Sequence, residues 1–170
     1  MKSKPKISFN SKDLVFFLLE KNLKIATAES CTGGLISKKI TDIPGASNVF
    51  ECGICSYSER IKEKVLGIKK ETIEEFGVVS EAVAKQMAKS IRLLSNSDIA
   101  VSTTGFAGPK TSSSDDKVGL VYIGIDCEKF NKAIKLNFDH NCENARDYIR
   151  NAASDLAIDA AATIVKDWRS

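Results

Sequence analysis

An α/β fold is what this sequence predicts: a three-layer α/β/α sandwich with a mixed, mostly parallel sheet. Three observations predict it. Short apolar segments of strand length alternate with helical stretches along most of the chain, the pattern of helices laid on both faces of a sheet. Two segments, 98–103 and 118–125, are apolar enough to be strands covered on both faces. The segment 132–138 alternates instead and follows its neighbour closely, which places it at an antiparallel edge.

In order, the first apolar block, 14–19, follows Ser11 and Asp13 and reads as a helix with a polar start. Residues 24–28 form a short strand. Ser30-Cys31-Thr32-Gly33-Gly34 turns into a helix carrying Leu35, Ile36 and Ile40, which Pro44 and Gly45 stop. A second strand covers 50–57, and Ser58 caps a helix with Lys62, Val65 and Leu66 that halts at Gly67. A short helix over 71–76 ends at Gly77. Ser80 starts a longer one with Val83, Met87, Ile91 and Leu94 on one face. After the strand 98–103 comes a loop over 105–117, then the strands 118–125 and 132–138. The last helix, 145–168, carries Tyr148, Ile149, Ala152, Leu156, Ala160 and Ile164 as its apolar stripe.

A chain of 170 residues fits one domain over 1–170, with 1–10 expected to be a flexible N-terminal segment. The net charge of +3, from 25 basic and 22 acidic residues, is too balanced for a nucleic-acid binder. No apolar run approaches the roughly 20 residues that span a bilayer, and the polar start leaves no signal-peptide core, so a cytoplasmic protein is expected.

Five cysteines without a framework suit a reducing compartment. Cys52 and Cys55 form a CxxC, but inside VFECGICSY, a strand, where residues three apart face opposite sides. A redox pair opens a helix instead. A zinc site would need His140 and Cys142 as further ligands. Buried, unpaired thiols are the reading here, and no metal or cofactor is expected.

Four polar clusters fall at strand ends or in the loops beside them, where open α/β sheets hold their sites. In Thr27-Ala28-Glu29-Ser30-Cys31-Thr32-Gly33-Gly34, the glycines admit a ligand to the backbone and the helix start offers N–H donors to an anion. Ser30 or Thr32 acting only as a helix cap explains it equally. Pro44-Gly45-Ala46-Ser47, followed by Tyr57 and Lys62, pairs a serine with a lysine. A serine needs a base, and the only histidine, His140, lies far along the chain. Lysine serves when burial leaves it neutral, although on residue chemistry alone Lys62 reads as a surface lysine. Ser102 to Pro109 runs from a strand end into a glycine loop that offers oxyanion or sugar contacts. Arg146 and Arg150, four apart near a helix start, suit a phosphate, with solvated arginines as the plainer alternative.

Together, TAESCTGGLIS, ITDIPGASNVFECGICSYSERIKEKVLGI, GVVSEAVAKQMA and TTGFAGP resemble the CinA carboxy-terminal family, nearly end to end from about Leu14. Stand-alone members of that family are nicotinamide-nucleotide amidohydrolases. The resemblance implies a cytoplasmic, often dimeric α/β enzyme of pyridine nucleotide salvage. It would hydrolyse nicotinamide mononucleotide by a serine–lysine mechanism, with no required metal, no nucleic acid and no membrane partner, as a homodimer. By resemblance Ser47 is the expected nucleophile and Lys62 its base. Tyr57 hydrogen-bonds within the site, and Ser30 is a second choice for nucleophile or an oxyanion contact. Thr32, Gly33, Gly34, Thr104, Gly105 and Arg150 are expected at the substrate, and Arg146 at its phosphate.

This chain departs from the family pattern in two places. Lys110 to Gly119 lacks the family's extra glycines and its Lys-Pro-Val-Gly, and Asn144-Ala145 replaces a Gly-Asp before Arg146, after what looks like an insertion at 139–142. Two other readings therefore stand beside the first. One is a non-catalytic nucleotide-binding or competence-associated domain, which the absence of a fused partner module within these 170 residues disfavours. The other is an amidase for another small amide.

Overall fold

The computed structural model describes residues 7–109 and 117–168. The loop segment 110–116, where one departure falls, lies outside the described residues. The elements in order are α1 (Ser11–Lys21), β1 (Ile25–Glu29), α2 (Leu35–Thr41), a 3₁₀ turn (Ala46–Asn48), β2 (Phe50–Cys55), α3 (Glu59–Leu66), α4 (Lys70–Phe76), α5 (Glu81–Ser95), β3 (Ile99–Gly105), β4 (Leu120–Cys127), β5 (Phe130–Asn137) and α6 (Ala145–Lys166). The sheet order is β2-β1-β3-β4-β5. β1 pairs in parallel with both β2 and β3, while β4 runs antiparallel to β3 and to β5. Four strands thus point one way and β4 alone is reversed, and the alternating segment is an edge strand as expected.

Side-chain alternation on the central strands sets the two outer layers. Ile25, Ile99 and Val101 join α1, α2 and α6 in one core, through Leu14, Leu18, Ile36, Ile40, Ala157 and Ile158. Ala26, Ala28 and Ala100 face the other way, onto Leu66, Ile73, Val83, Met87 and Ile91 of α3, α4 and α5. Small residues on that second face let α5 settle close to the sheet. Ser102 donates to the Ala84 carbonyl at 2.6 Å, and a Cβ added at Gly124 would stand 2.3 Å from the same oxygen.

Three burial expectations are corrected. Leu94 is 61% exposed, because α5 turns its stripe through Val83, Ala84, Met87, Ala88 and Ile91. On α6 the buried face runs through Ile149, Ala153, Ala157, Ile158, Ala161, Ala162 and Val165, one residue round from the predicted stripe. The helix contacts both the sheet and α1, so its apolar arc is wide and the choice of register within it is not readable from polarity. Cys52 is half-buried and Cys55 exposed, since β2 is the other edge strand and α2 covers it incompletely. Residues 1–6 of the expected N-terminal segment lie outside the described residues, and the Ser8 and Phe9 N–H groups are both held by the Asp159 carboxylate at 2.9 and 2.7 Å.

Candidate active site

The carboxyl ends of β1, β2 and β3 lie side by side, and the turns that leave them build one site. The turn after β1 is organised by Glu29, fully buried at the last position of the strand. Its carboxylate accepts from the Thr32 hydroxyl at 2.7 Å, the Gly34 N–H at 3.0 Å and the Ile36 N–H at 3.1 Å. The Ser37 N–H at 2.8 Å and the Ser37 hydroxyl at 2.7 Å complete the set. A buried carboxylate is tolerated when so fully hydrogen-bonded, and here it doubles as the cap of α2. Three N–H donors of that helix start are therefore occupied from within, and Ser30 is no cap. Gly33 and Gly34 take positive φ of 60° and 92°, which the turn requires.

This turn sets Ser30 opposite Lys62. The Lys62 Nζ lies 2.9 Å from Ser30 Oγ and donates to the Ser56 carbonyl oxygen at 2.6 Å. Lys62 is 1% exposed rather than a surface residue, because α3, capped by Ser58, packs on α5 and turns this side chain inward onto Ser30 Oγ and the Ser56 carbonyl. Burial lowers its pKa to about 8, with the Glu59 charge opposing the shift. Burial pushes the neighbouring Cys31 thiol up to about 11, so it is no thiolate at neutral pH. The arrangement is therefore a hydroxyl within hydrogen-bond reach of an amine that is partly neutral near pH 8, a pairing chemically able to generate a nucleophile.

Ser30 and Lys62 open into a cavity of about 710 Å³. Tyr57, Thr104, Gly105 and Arg146 also line it, as do Val78, Val79 and the loop 106–108. Arg146 reaches from α6 across its rim, donating to the Tyr57 hydroxyl at 2.8 Å and to the Gly108 carbonyl. Thr104 is buried and donates to the Val78 carbonyl at 2.8 Å. Gly105 is needed for strand packing, since an added Cβ would lie 2.7 Å from a Val121 methyl.

Ser47 is not brought to this site. It sits in the 3₁₀ turn before β2, where the Val49 carbonyl accepts from the Ile25 N–H and the Asn48 carbonyl from Lys24. That is the amino end of β1, whereas Ser30 and Lys62 lie at its carboxyl end, a strand length of roughly 20 Å away. β2 carries the chain across the sheet between Ser47 and Lys62 instead of joining them. Thr32, Gly33 and Gly34 also stay outside the cavity lining, with Thr32 buried against Glu29 and Thr103. Arg150 is turned away too, donating from Nε to the Cys31 carbonyl at 3.2 Å and from Nη2 to the Thr32 carbonyl at 3.0 Å. Sequence reasoning passed over Glu29, though an acid closing the apolar strand IATAE just before a glycine turn was a usable signal. It also passed over Ser56, whose carbonyl holds Lys62. Among the described residues, no group of three or more His, Cys, Asp or Glu is arranged to hold a metal, and no helix is long and apolar enough to cross a membrane.

Comparisons with known proteins agree with this fold. Residues 9–163 match the CinA C-terminal domain family. The chain is 47% identical over 146 residues to a protein of Caldicellulosiruptor saccharolyticus named as competence-damage inducible, covering 86% of this chain and 34% of that one. It is 51% identical over 117 residues to a CinA-like protein of Chlorobium limicola, covering 69% of this chain and 27% of that one. It thus spans about a third of the length of the curated relatives it matches. Among solved structures, the competence/damage inducible protein of Agrobacterium tumefaciens superposes with a TM-score of 0.80 at 31% identity, over 92% of this chain and 96% of that one. A CinA superfamily protein of Klebsiella pneumoniae shares the fold with a TM-score of 0.86 at 23% identity, over 93% of this chain and 96% of that one.

Proposed function

From the premise that this chain belongs to the CinA C-terminal domain family, we propose that it is an amidohydrolase in which Ser30 is the nucleophile and Lys62 the general base. The substrate proposed is nicotinamide mononucleotide, hydrolysed to nicotinate mononucleotide and ammonia. The observation that carries this reading is the buried 2.9 Å contact between Ser30 Oγ and Lys62 Nζ.

The steps follow from that contact. With Lys62 neutral, Ser30 Oγ attacks the carboxamide carbon as its proton passes to Nζ. The carbonyl π electrons move to oxygen, and the tetrahedral oxyanion meets the Cys31 N–H, which no backbone carbonyl among the described residues accepts. The resulting ammonium, held by the Ser56 carbonyl, protonates the nitrogen as the C–N bond breaks, releasing ammonia and leaving an ester on Ser30. Water then attacks the ester, Lys62 takes its proton and returns it to Ser30 Oγ, and the acid departs.

The cavity volume lies within the range of roughly 300–1,000 Å³ usual for small-molecule sites, and suits a mononucleotide. Arg146 at the rim is the phosphate partner in this reading, exchanging its Tyr57 and Gly108 contacts for phosphate oxygens. The direct test is ammonia release from nicotinamide mononucleotide by the purified chain, with nicotinamide and nicotinamide riboside as comparison substrates. Release from the mononucleotide alone supports both the chemistry and the Arg146 role. No ammonia from any of the three rejects the amidohydrolase reading in favour of a binding domain.

A further inference from the structure

The two arginines of α6 are engaged differently: Arg146 bonds Tyr57 and the Gly108 carbonyl, and Arg150 bonds the turn that carries Ser30. Arg146 lines the cavity, whereas Arg150 is not part of its lining and is half-buried, with its guanidinium spent on the Cys31 and Thr32 carbonyls at 3.2 and 3.0 Å. Each of those carbonyls belongs to a planar trans peptide, so fixing it turns the N–H of the same unit to the opposite side. The second of these units carries the Gly33 N–H, which donates to the Ser30 carbonyl at 3.1 Å. Engaging the Ser30 carbonyl in turn directs the Cys31 N–H out of the turn, where it has no backbone acceptor among the described residues. Gly33 completes the fit, since an added Cβ would stand 3.1 Å from Arg150 Nη2.

We infer that Arg150 is a positioning residue: its fork on two successive carbonyls holds the peptide planes of the Ser30–Gly33 turn so that the Cys31 N–H is presented to the developing oxyanion. The role rests on the hydrolase reading given above. A guanidinium suits it because two N–H groups on one planar edge match two carbonyls at once, which a lysine ammonium does not. Arg150 touches neither substrate nor Lys62, so its loss acts on the rate and leaves affinity and the base intact.

The test uses the full chain and two readouts: ammonia release from nicotinamide mononucleotide, and the rate at which a fluorophosphonate probe labels Ser30, followed by intact mass. Arg150→Ala is expected to slow both by about 10–100-fold, the scale of a small misplacement of reacting groups. KM should change by less than about twofold, a loss confined to the transition state. The rate–pH midpoint should stay where Lys62 sets it. Millimolar guanidinium should restore much of the rate to Arg150→Ala and none to the parent, a rescue that a purely structural role would not give. Arg150→Lys, which keeps the charge and most of the packing, should fall between the two and serves if the alanine variant does not fold. Parent-like labelling of Arg150→Ala, or a raised KM with kcat unchanged, overturns the inference and returns Arg150 to substrate binding. A parent chain that neither labels at Ser30 nor releases ammonia overturns the hydrolase reading itself, and the Arg150 role with it.

Discussion

Lys62 Nζ sits between two serines, 2.9 Å from Ser30 Oγ and 2.6 Å from the Ser56 carbonyl oxygen, in a place water barely reaches. The carbonyl contact fixes where the amine points, and burial sets how readily it loses its proton. The two serines therefore make different demands of the same nitrogen, one chemical and one geometric.

The first prediction separates the two nucleophile candidates. Ser30→Ala should lower the ammonia-release rate by at least about 10³-fold, and Ser47→Ala, a strand length away, should leave it within about twofold. The reverse result would return Ser47 to the centre of the mechanism.

Activity should rise with pH. In the proposed mechanism Lys62 works as the neutral amine, and its pKa is lowered to about 8, so kcat/KM is expected to climb through a midpoint near 8 and level off above it. A profile flat from pH 6 to 9 would exclude Lys62 as the base.

The same group makes a stability prediction. Its folded pKa lies below its unfolded one, so between about pH 8 and 10.5 the unfolded chain holds a proton that the folded one does not. Stability from this residue therefore rises with pH across that window and is lowest below it. Lys62→Met removes the penalty, and should stabilise the protein at pH 7 by up to roughly 3 kcal/mol while abolishing turnover. Urea unfolding of both proteins at pH 7 and pH 10 reads it, and the difference between them should shrink at the higher pH.

Glu29 holds five donors, and an amide at its place would turn an NH₂ group towards some of them. Glu29→Gln should cost about 2–4 kcal/mol in urea denaturation and cut activity by loosening the Ser30 turn. A variant as stable as the parent would show that the carboxylate does not anchor the turn.

Close approach of α5 to the sheet gives a prediction remote from the chemistry. Gly124→Ala puts a methyl 2.3 Å from the Ala84 carbonyl oxygen, and should lower stability by about 1–3 kcal/mol. Ammonia release per folded molecule should be unchanged, measured below the melting transition.

Much of the fold is legible in the sequence because the strands and helices differ in period. Gly67, Gly77 and the serines at 58 and 80 mark helix ends where the structure has them. Less legible was which arc of a wide apolar face turns inward, as α6 shows, because two layers compete for one helix. At the site, Lys62 is readable in sequence only through family resemblance, since nothing in SERIKEKVL separates it from the lysines beside it. What decides its burial is the packing of α3 on α5, which brings Lys62 against Ser30 and the Ser56 carbonyl, a tertiary event. Ser47 misleads for the complementary reason: it is near Lys62 in sequence, and a strand between two residues carries them to opposite ends of a sheet. Ser30, 32 residues from Lys62, meets it because parallel strands β1 and β2 end at the same side.

The guanidinium behind the Ser30 turn also imposes a timetable. Arg150 follows Thr32 by 118 residues, so a ribosome adding about 5–20 residues per second delivers it roughly 6–24 s after the turn it grips. During that interval the emerging chain already carries its serine and, soon after, its lysine, but not the group that sets the peptides between them. On the proposed role of Arg150, the turn is therefore completed only when the last helix docks.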